Sequence, residues 1–351
     1  MMSLSNKGEI DMSKVYNVMV VGCGAISNEW FPVLAKRPDA NIVAVVDIRP
    51  ESAKARIEQY GISCPIYTDF DEALATVKPD VVVDLTFPMC HHDITVKSLR
   101  AGVNVFGEKP MAMTREEAQD MLKVAKETGK VYDVLQNRRF LPGIRALKEA
   151  VDSGLLGDIW MTNCEIYVNS DLASVRNSLP YPMLQDQAIH SFDSARFILS
   201  ADATSVYTHS YRTKDSHYGG TPGDNAGACI FEMSNGSVLV FNAVMDTDYM
   251  KTAWHSQFRI IGTKGTAIWN GFDQVAHAEI RQSDGSIAKM DLKPNENWKG
   301  IEWHEGAIDE MFCDLESGKE SAASCFHNYG SVAMEYSALD SIKSGKKEEV
   351  R

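Results

Sequence analysis

The chain's 351 residues are too many for one ordinary core and suit two domains of typical size. A formal net charge of −13, with no dense basic run, argues against a nucleic acid or an anionic membrane as partner, since both need clustered Lys and Arg. No apolar stretch reaches the ~20 residues that span a bilayer, and 44% hydrophobic with 24% charged residues is the composition of a soluble globular protein.

The chain opens on polar residues, 1–13, that read as a disordered leader without the apolar centre of a signal peptide. A strand over 16–21 follows, then a glycine turn (Gly22, Cys23, Gly24), a helix opening at Ala25, Ile26 and Ser27, and a second strand over 41–46 that ends on Asp47. Each piece suits a dinucleotide. Gly22 permits the tight turn, Gly24 lets the backbone approach a pyrophosphate, and the N–H groups of the helix start hold the phosphates. Ser27 takes the place of the usual third glycine and is small enough for close packing. Asp47 stands at the ~20-residue separation expected of the carboxylate that accepts the ribose hydroxyls. It would repel a 2′-phosphate, so NAD is the expected cofactor; Arg49, two residues on, keeps NADP as the less favoured alternative.

From there strand and helix signals alternate: a helix over 50–60, a short strand over 66–67, a helix capped by Asp69 through residue 77 and a β-branched strand over 81–85. A helix over 91–100, a strand over 103–106, a helix over 115–128 with a Thr114/Glu117 capping box and a strand over 131–135 complete the set. This alternation predicts an α/β, doubly wound parallel sheet with ligands at the carboxyl ends of its strands, where Asp47, Thr86, Glu108 and Lys109 fall.

Beyond residue 137 the pattern changes to helices over 142–153 and 183–199 and a series of strands over 160–168, 205–211, 226–233, 237–245, 256–261, 265–270 and 277–282. Asn235-Gly236 and Asp284-Gly285 are hairpin signals. The expected second domain, 138–351 after a first of 14–137, is α+β on an open, mostly antiparallel sheet, with closing helices over 305–315 and 330–344. Seven scattered cysteines without a C-x-x-C pair read as reduced thiols, place the protein in the cytoplasm and offer no zinc site; Cys23 is a residue that fits its turn rather than a nucleophile.

Two constellations could carry chemistry. A lysine directly after a sheet strand, in Glu108-Lys109-Pro110, could stabilise an alkoxide that develops as hydride leaves. Asp186 and His190 stand one α-helical turn apart, so both could reach one substrate, the histidine as general base and the carboxylate orienting it. Tyr167, Asn169, Arg176, Trp254, His255, Trp303 and His304 are candidate sugar contacts, of which Trp303-His304-Glu305 suits stacking and hydroxyl bonding best.

Together these residues resemble the Gfo/Idh/MocA family of nicotinamide-dependent oxidoreductases. The resemblance runs from Gly22 through Thr86, Pro88 and His92 to Glu108-Lys109-Pro110, the Asn137-Arg138-Arg139-Phe140 junction and the Asp186/His190 pair. It implies an N-terminal Rossmann domain, a C-terminal sheet domain, a substrate pocket between them, and homodimers or homotetramers formed through the sheet. It also implies Lys109 on the reacting hydroxyl, His190 as proton acceptor, Asp186 as its partner, and Thr86, Phe87, Pro88, His92, Glu108, Asn137 and Arg138 along the cofactor. Phe87, Met89 and Cys90 depart from the more polar family pattern, and Pro180-Tyr181-Pro182-Met183-Leu184 stands where glycines are common, so no relative's named substrate transfers directly.

The expected reaction is NAD-dependent oxidation of a secondary hydroxyl on a sugar, glycoside or cyclic polyol such as an inositol. Two alternatives stay open: a glycoside hydrolase that keeps NAD bound and works by transient oxidation and elimination, and a ligand sensor without catalysis.

Overall fold

The structure, a computed structural model, describes residues 14–169, 179–213 and 224–351. The leader at 1–13 and Arg176 lie outside them. The chain forms two compact units, one holding the residues up to Leu135 with His304–His327, the other Gln136–Trp303 with Asn328–Arg351.

The first unit is a six-stranded parallel sheet built from β1 (Tyr16–Val21), α1 (Ser27–Leu34), β2 (Ala40–Val46), α2 (Pro50–Tyr60), β3 (Ile66–Tyr67), α3 (Phe70–Val77), β4 (Val81–Asp84), α4 (Pro88–Arg100), β5 (Asn104–Gly107), α5 (Arg115–Thr128) and β6 (Tyr132–Val134). The strand order β3-β2-β1-β4-β5-β6 reverses direction between β1 and β4, the switch point at which doubly wound sheets bind ligands. Local chemistry sets the helix starts: Asp69 accepts the Glu72 N–H at 2.8 Å, and Thr114 and Glu117 form both bonds of the capping box. Met19, Val21, Ala44, Val46 and Val82 are buried in one apolar cluster, as a sheet covered on both faces requires.

The second unit opens with a 3₁₀ turn at Asn137–Phe140 and continues through α6 (Pro142–Asp152), β7 (Ile159–Tyr167), a π-helical turn at Met183–Ala188, α7 (Ile189–Leu199), β8 (Ala203–Tyr211), β9 (Ala226–Met233), β10 (Val238–Val244), β11 (Gln257–Gly262), β12 (Gly265–Trp269), β13 (Ala276–Arg281) and β14 (Ile287–Leu292). In chain order there follow α8 (Trp303–Ser317), which lies in the first unit from His304, then α9 (Cys325–Ser344), in the second unit from Asn328, and β15 (Glu348–Glu349). Nine strands form one sheet in the order β14-β13-β12-β11-β7-β10-β9-β8-β15, antiparallel throughout except where β7 meets β10. The register alternates faces. Cys229, Phe241, Cys164, Phe258 and Trp269 lie opposite one another along an inner row and are buried. On that inner face Phe192 of α7 meets Phe231 and Phe241 edge-on at 4.9 and 5.1 Å.

Four features differ from the sequence expectation. β14 and β15 were not foreseen, because β14 carries Ala, Lys, Met and Asp on an edge and β15 is two residues long. The helix expected over 183–199 opens as a π turn, so Asp186 and His190 are not on one uninterrupted α-helix. From His304 onward α8 belongs with the first unit, whereas the sequence reading assigned everything after 137 to the second domain. Phe312 anchors it there, edge-on to Tyr16 and Phe106, with the Arg37 guanidinium 4.2 Å from its ring centroid and bonded to Asp309. Periodicity marks such a helix as having a buried face but does not say what covers it.

Candidate active site

The glycine turn closes over the carboxyl ends of β1 and β4. Gly22 has φ +96°, and a Cβ there would stand 2.7 Å from the Leu85 carbonyl, so only glycine fits. A Cβ on Gly24 would meet nothing within 4 Å, which leaves open the space a pyrophosphate needs beside the turn. Ser27 is buried and its hydroxyl donates to the Gly24 carbonyl at 2.6 Å, fastening the helix start to the turn in place of the third glycine.

Asp47 is held from both sides. Its carboxylate accepts the N–H of Cys23 at 2.7 Å and that of Arg49 at 2.8 Å, leaving further lone pairs for ribose hydroxyls. Burial, reinforced by the Asp47 charge, pushes the Cys23 thiol up to about 12, so this cysteine stays protonated and is no nucleophile. Ile48, Phe87 and Met89, at 85, 58 and 66% exposure, offer apolar surface after β2 and β4. Ile48 was not singled out from the sequence. Neither was Arg56 of α2, whose guanidinium donates to the Ser27 hydroxyl at 2.8 Å and reaches the Gly24 carbonyl at 3.5 Å.

After β4, Asp84 is fully buried and one oxygen accepts both the N–H and the hydroxyl of Thr86, at 3.0 and 2.6 Å. Pro88 opens α4. Of the two adjacent histidines, His92, expected along the cofactor, turns toward α5 and pairs with Asp120 at 2.9 Å. His91 is the buried one, its ring nitrogens 3.1 Å from the Thr86 carbonyl and 2.8 Å from that of Pro110, so it ties two edge segments together. A helix steps 100° per residue, so adjacent positions face different neighbours.

Glu108 is buried and anchored: one oxygen accepts the indole N–H of Trp30 at 2.6 Å, the other the backbone N–H of Lys109 at 3.2 Å. This fixes the backbone from which the Lys109 side chain departs, and the Lys109–Pro110 peptide is cis. His304 lies in the same unit, 3.8 Å from Glu29; burial holds its imidazole below the usual range, opposed by the charges of Glu108 and Glu29 and assisted by that of Lys109. A residue expected among the second domain's sugar contacts therefore sits within electrostatic range of the candidate lysine.

In the second unit, Arg138 is buried and donates to the Gln187 side-chain oxygen at 3.0 Å, while the Gln187 amide donates to Asp186 at 3.0 Å. Burial lowers the Arg138 guanidinium to about 10, so it remains charged at neutral pH. Its neighbour Arg139 is a structural residue, forming a buried two-pronged pair with Asp193, which also accepts from Ser331 at 3.0 Å. His190 is buried in the first turn of α7, its carbonyl bonded by Ser194 at 2.8 Å. His255 meets Trp303 edge-on at 4.5 Å. Tyr167 donates its backbone N–H to Thr252, and Asn169 bonds Asp248. Among the described residues no group of three or more His, Cys, Asp or Glu side chains could hold a metal ion, and no helix is long and apolar enough to cross a membrane.

Comparisons with known proteins agree with this architecture. Residues 16–136 match the "Oxidoreductase family, NAD-binding Rossmann fold", and residues 144–268 match the "GFO/IDH/MocA C-terminal domain". Inositol 2-dehydrogenase of Rhizobium meliloti is 26% identical over 324 residues, 92% of this chain and 96% of its own length. D-glucoside 3-dehydrogenase of Escherichia coli is 32% identical over 213 residues, 57% of this chain and 59% of its own. The crystal structure of an oxidoreductase from Agrobacterium radiobacter, in complex with NAD+, L-tartaric acid and magnesium, shares the fold with a TM-score of 0.83 at 21% identity, covering 95% of this chain and 98% of that one. With an open turn at Gly24, a fixed Asp47 and both domains matched, the chain belongs to the Gfo/Idh/MocA family of NAD-binding oxidoreductases.

Proposed function

We propose that this protein oxidises a secondary hydroxyl on a sugar, glycoside or cyclic polyol. The observation that carries the reading is Lys109, set behind the anchored Glu108 on the same carboxyl edge as the glycine turn and Asp47. NAD held along that edge supplies the hydride acceptor. In this reading Lys109 binds the reacting hydroxyl and stabilises the negative charge that develops on its oxygen. His190 takes the hydroxyl proton, and Asp186 orients it and bonds a neighbouring hydroxyl. Tyr167 and Trp303 supply substrate contacts, and Asn137 and Arg138 the rest of the cofactor or substrate wall. The relatives named above, an inositol dehydrogenase and a glucoside dehydrogenase, support the substrate class. The reading includes a cytoplasmic homodimer or homotetramer.

The test is NADH absorbance on mixing the purified protein with NAD, and separately NADP, across inositols, aldoses, sugar acids and aryl glycosides. Net NADH from one compound, abolished by Lys109→Ala, is the expected result. Release of free sugar from a glycoside without net NADH would instead identify oxidation and elimination; silence in both assays with ligand binding intact would leave a sensor.

A further inference from the structure

Arg138 is a full positive charge placed where water does not reach. Among the described residues its side chain makes one hydrogen bond, to the neutral amide of Gln187, and its second terminal nitrogen, Nη1, is buried without an acceptor. The Asp186 carboxylate acts on it through space and is itself bonded by the Gln187 amide, so Gln187 links the two without neutralising the guanidinium. Burying a guanidinium without a bonded counter-ion is unfavourable, and the neighbouring Arg139 shows the usual solution, a two-pronged carboxylate pair. Within electrostatic reach of Arg138, His255 Nδ1 is likewise buried with no hydrogen-bond partner among the described residues. Burial first and the Arg138 charge second hold that imidazole down at about 4, so at neutral pH the ring is uncharged and one of its nitrogens carries a proton to donate. Trp303 packs edge-on against His255 and fixes its ring. Two orphaned nitrogens thus belong to one charged neighbourhood of the second unit. A carboxylate is the chemical complement of this pair, since it brings two acceptor oxygens and a charge opposite to that of Arg138.

We propose that Arg138 and His255 form an anion subsite, and that the substrate is a sugar acid whose carboxylate is held there while a secondary hydroxyl is oxidised. This rests on the dehydrogenase reading for the reaction, but not for the binding, so the two can fail separately.

The experiment measures binding of matched pairs, glucuronate against glucose, galacturonate against galactose and gluconate against glucitol, to the NADH-loaded protein by calorimetry. Wild type, Arg138→Met and Arg138→Lys are compared, with NADH affinity recorded for each. One or more of the acids should bind roughly 10- to 100-fold more tightly than its neutral counterpart, the range expected of a hydrogen bond to a charged group. Arg138→Met should erase that preference, the acid losing at least about tenfold more affinity than either NADH or the neutral sugar, and Arg138→Lys should keep part of it. Acids that bind no better than their neutral partners in wild type overturn the proposal, whatever the variants do. So does an Arg138→Met protein whose acid preference is intact, or whose NADH affinity falls in step with that of acid and neutral sugar alike, which would assign the arginine to the cofactor. Should Arg138→Met not fold, Arg138→Lys and the wild-type pairs decide. Tight acid binding without NADH formation from NAD keeps the subsite and sinks the dehydrogenase reading; NADH formation from neutral polyols with no acid preference does the reverse.

Discussion

Single side chains can do only what the groups anchoring them allow. Lys109 departs from a backbone fixed by Glu108, whose own carboxylate is held by Trp30 and the Lys109 amide. We expect Lys109→Ala and His190→Ala each to lower kcat by about 10²- to 10⁴-fold with folding preserved, read from NADH formation and circular dichroism. Unchanged turnover in both would remove the acid–base assignment. Asp47, its oxygens pinned by two backbone amides, presents negative charge where a 2′-phosphate would lie, while Arg49 and Arg56 stand near by. Asp47→Ser should therefore raise the NADP-to-NAD ratio of kcat/KM by about tenfold or more, each tenfold being ~1.4 kcal/mol. An unchanged ratio would show that cofactor choice lies elsewhere.

At the scale of elements, two buried carboxylates behave in opposite ways. Asp193 joins α7 to the 3₁₀ turn and to α9 through Arg139 and Ser331, with both charged partners buried. Asp193→Ala strands the guanidinium and should cost about 3–5 kcal/mol in chemical denaturation. Among the described residues no cation is paired with Asp133 of β6. Burial raises its carboxyl well above the usual range, and Asp314, Glu310 and Glu320 raise it further. A folded value above the unfolded one means the folded state binds the extra proton. Its contribution is complete below the unfolded value near 3.8 and is lost as pH climbs toward the folded value. Asp133→Asn should therefore raise Tm at pH 7 and flatten its fall between pH 4 and 7; a steeper fall in the variant would contradict this.

For the molecule as a unit, the open face of the nine-stranded sheet is where we expect a second copy to dock. Register places Tyr207, Ile230, Val240, Asn163, Arg259 and Ile268 in one transverse row, of which Tyr207, Ile230 and Ile268 are exposed apolar side chains. A sheet face of that composition is characteristic of interfaces rather than of solvated surface. Light scattering should report a dimer or tetramer for the wild type. Ile230→Asp should shift it toward monomer without unfolding; a wild type that is monomeric at micromolar concentration would refute the interface.

Whatever depends on neighbours a few residues apart is legible in the order of residues alone. The glycine turn, the acid that ends β2, the capping box on α5, the alternation that makes a parallel sheet and the tripeptide at Glu108 are all local, because turn geometry, strand period and helix capping are set within about five residues. The remainder is set by long-range packing. That His91 ties Thr86 to Pro110 depends on which carbonyls lie across the sheet edge, and α8 found its place through Phe312 against Tyr16 and Phe106 from the far end of the chain. The π turn at Asp186, the Gln187 link and the orphaned nitrogens of Arg138 and His255 arise from packing between residues tens of positions apart. No local pattern records such contacts, since burial and hydrogen-bond satisfaction are properties of the folded neighbourhood and not of the residue.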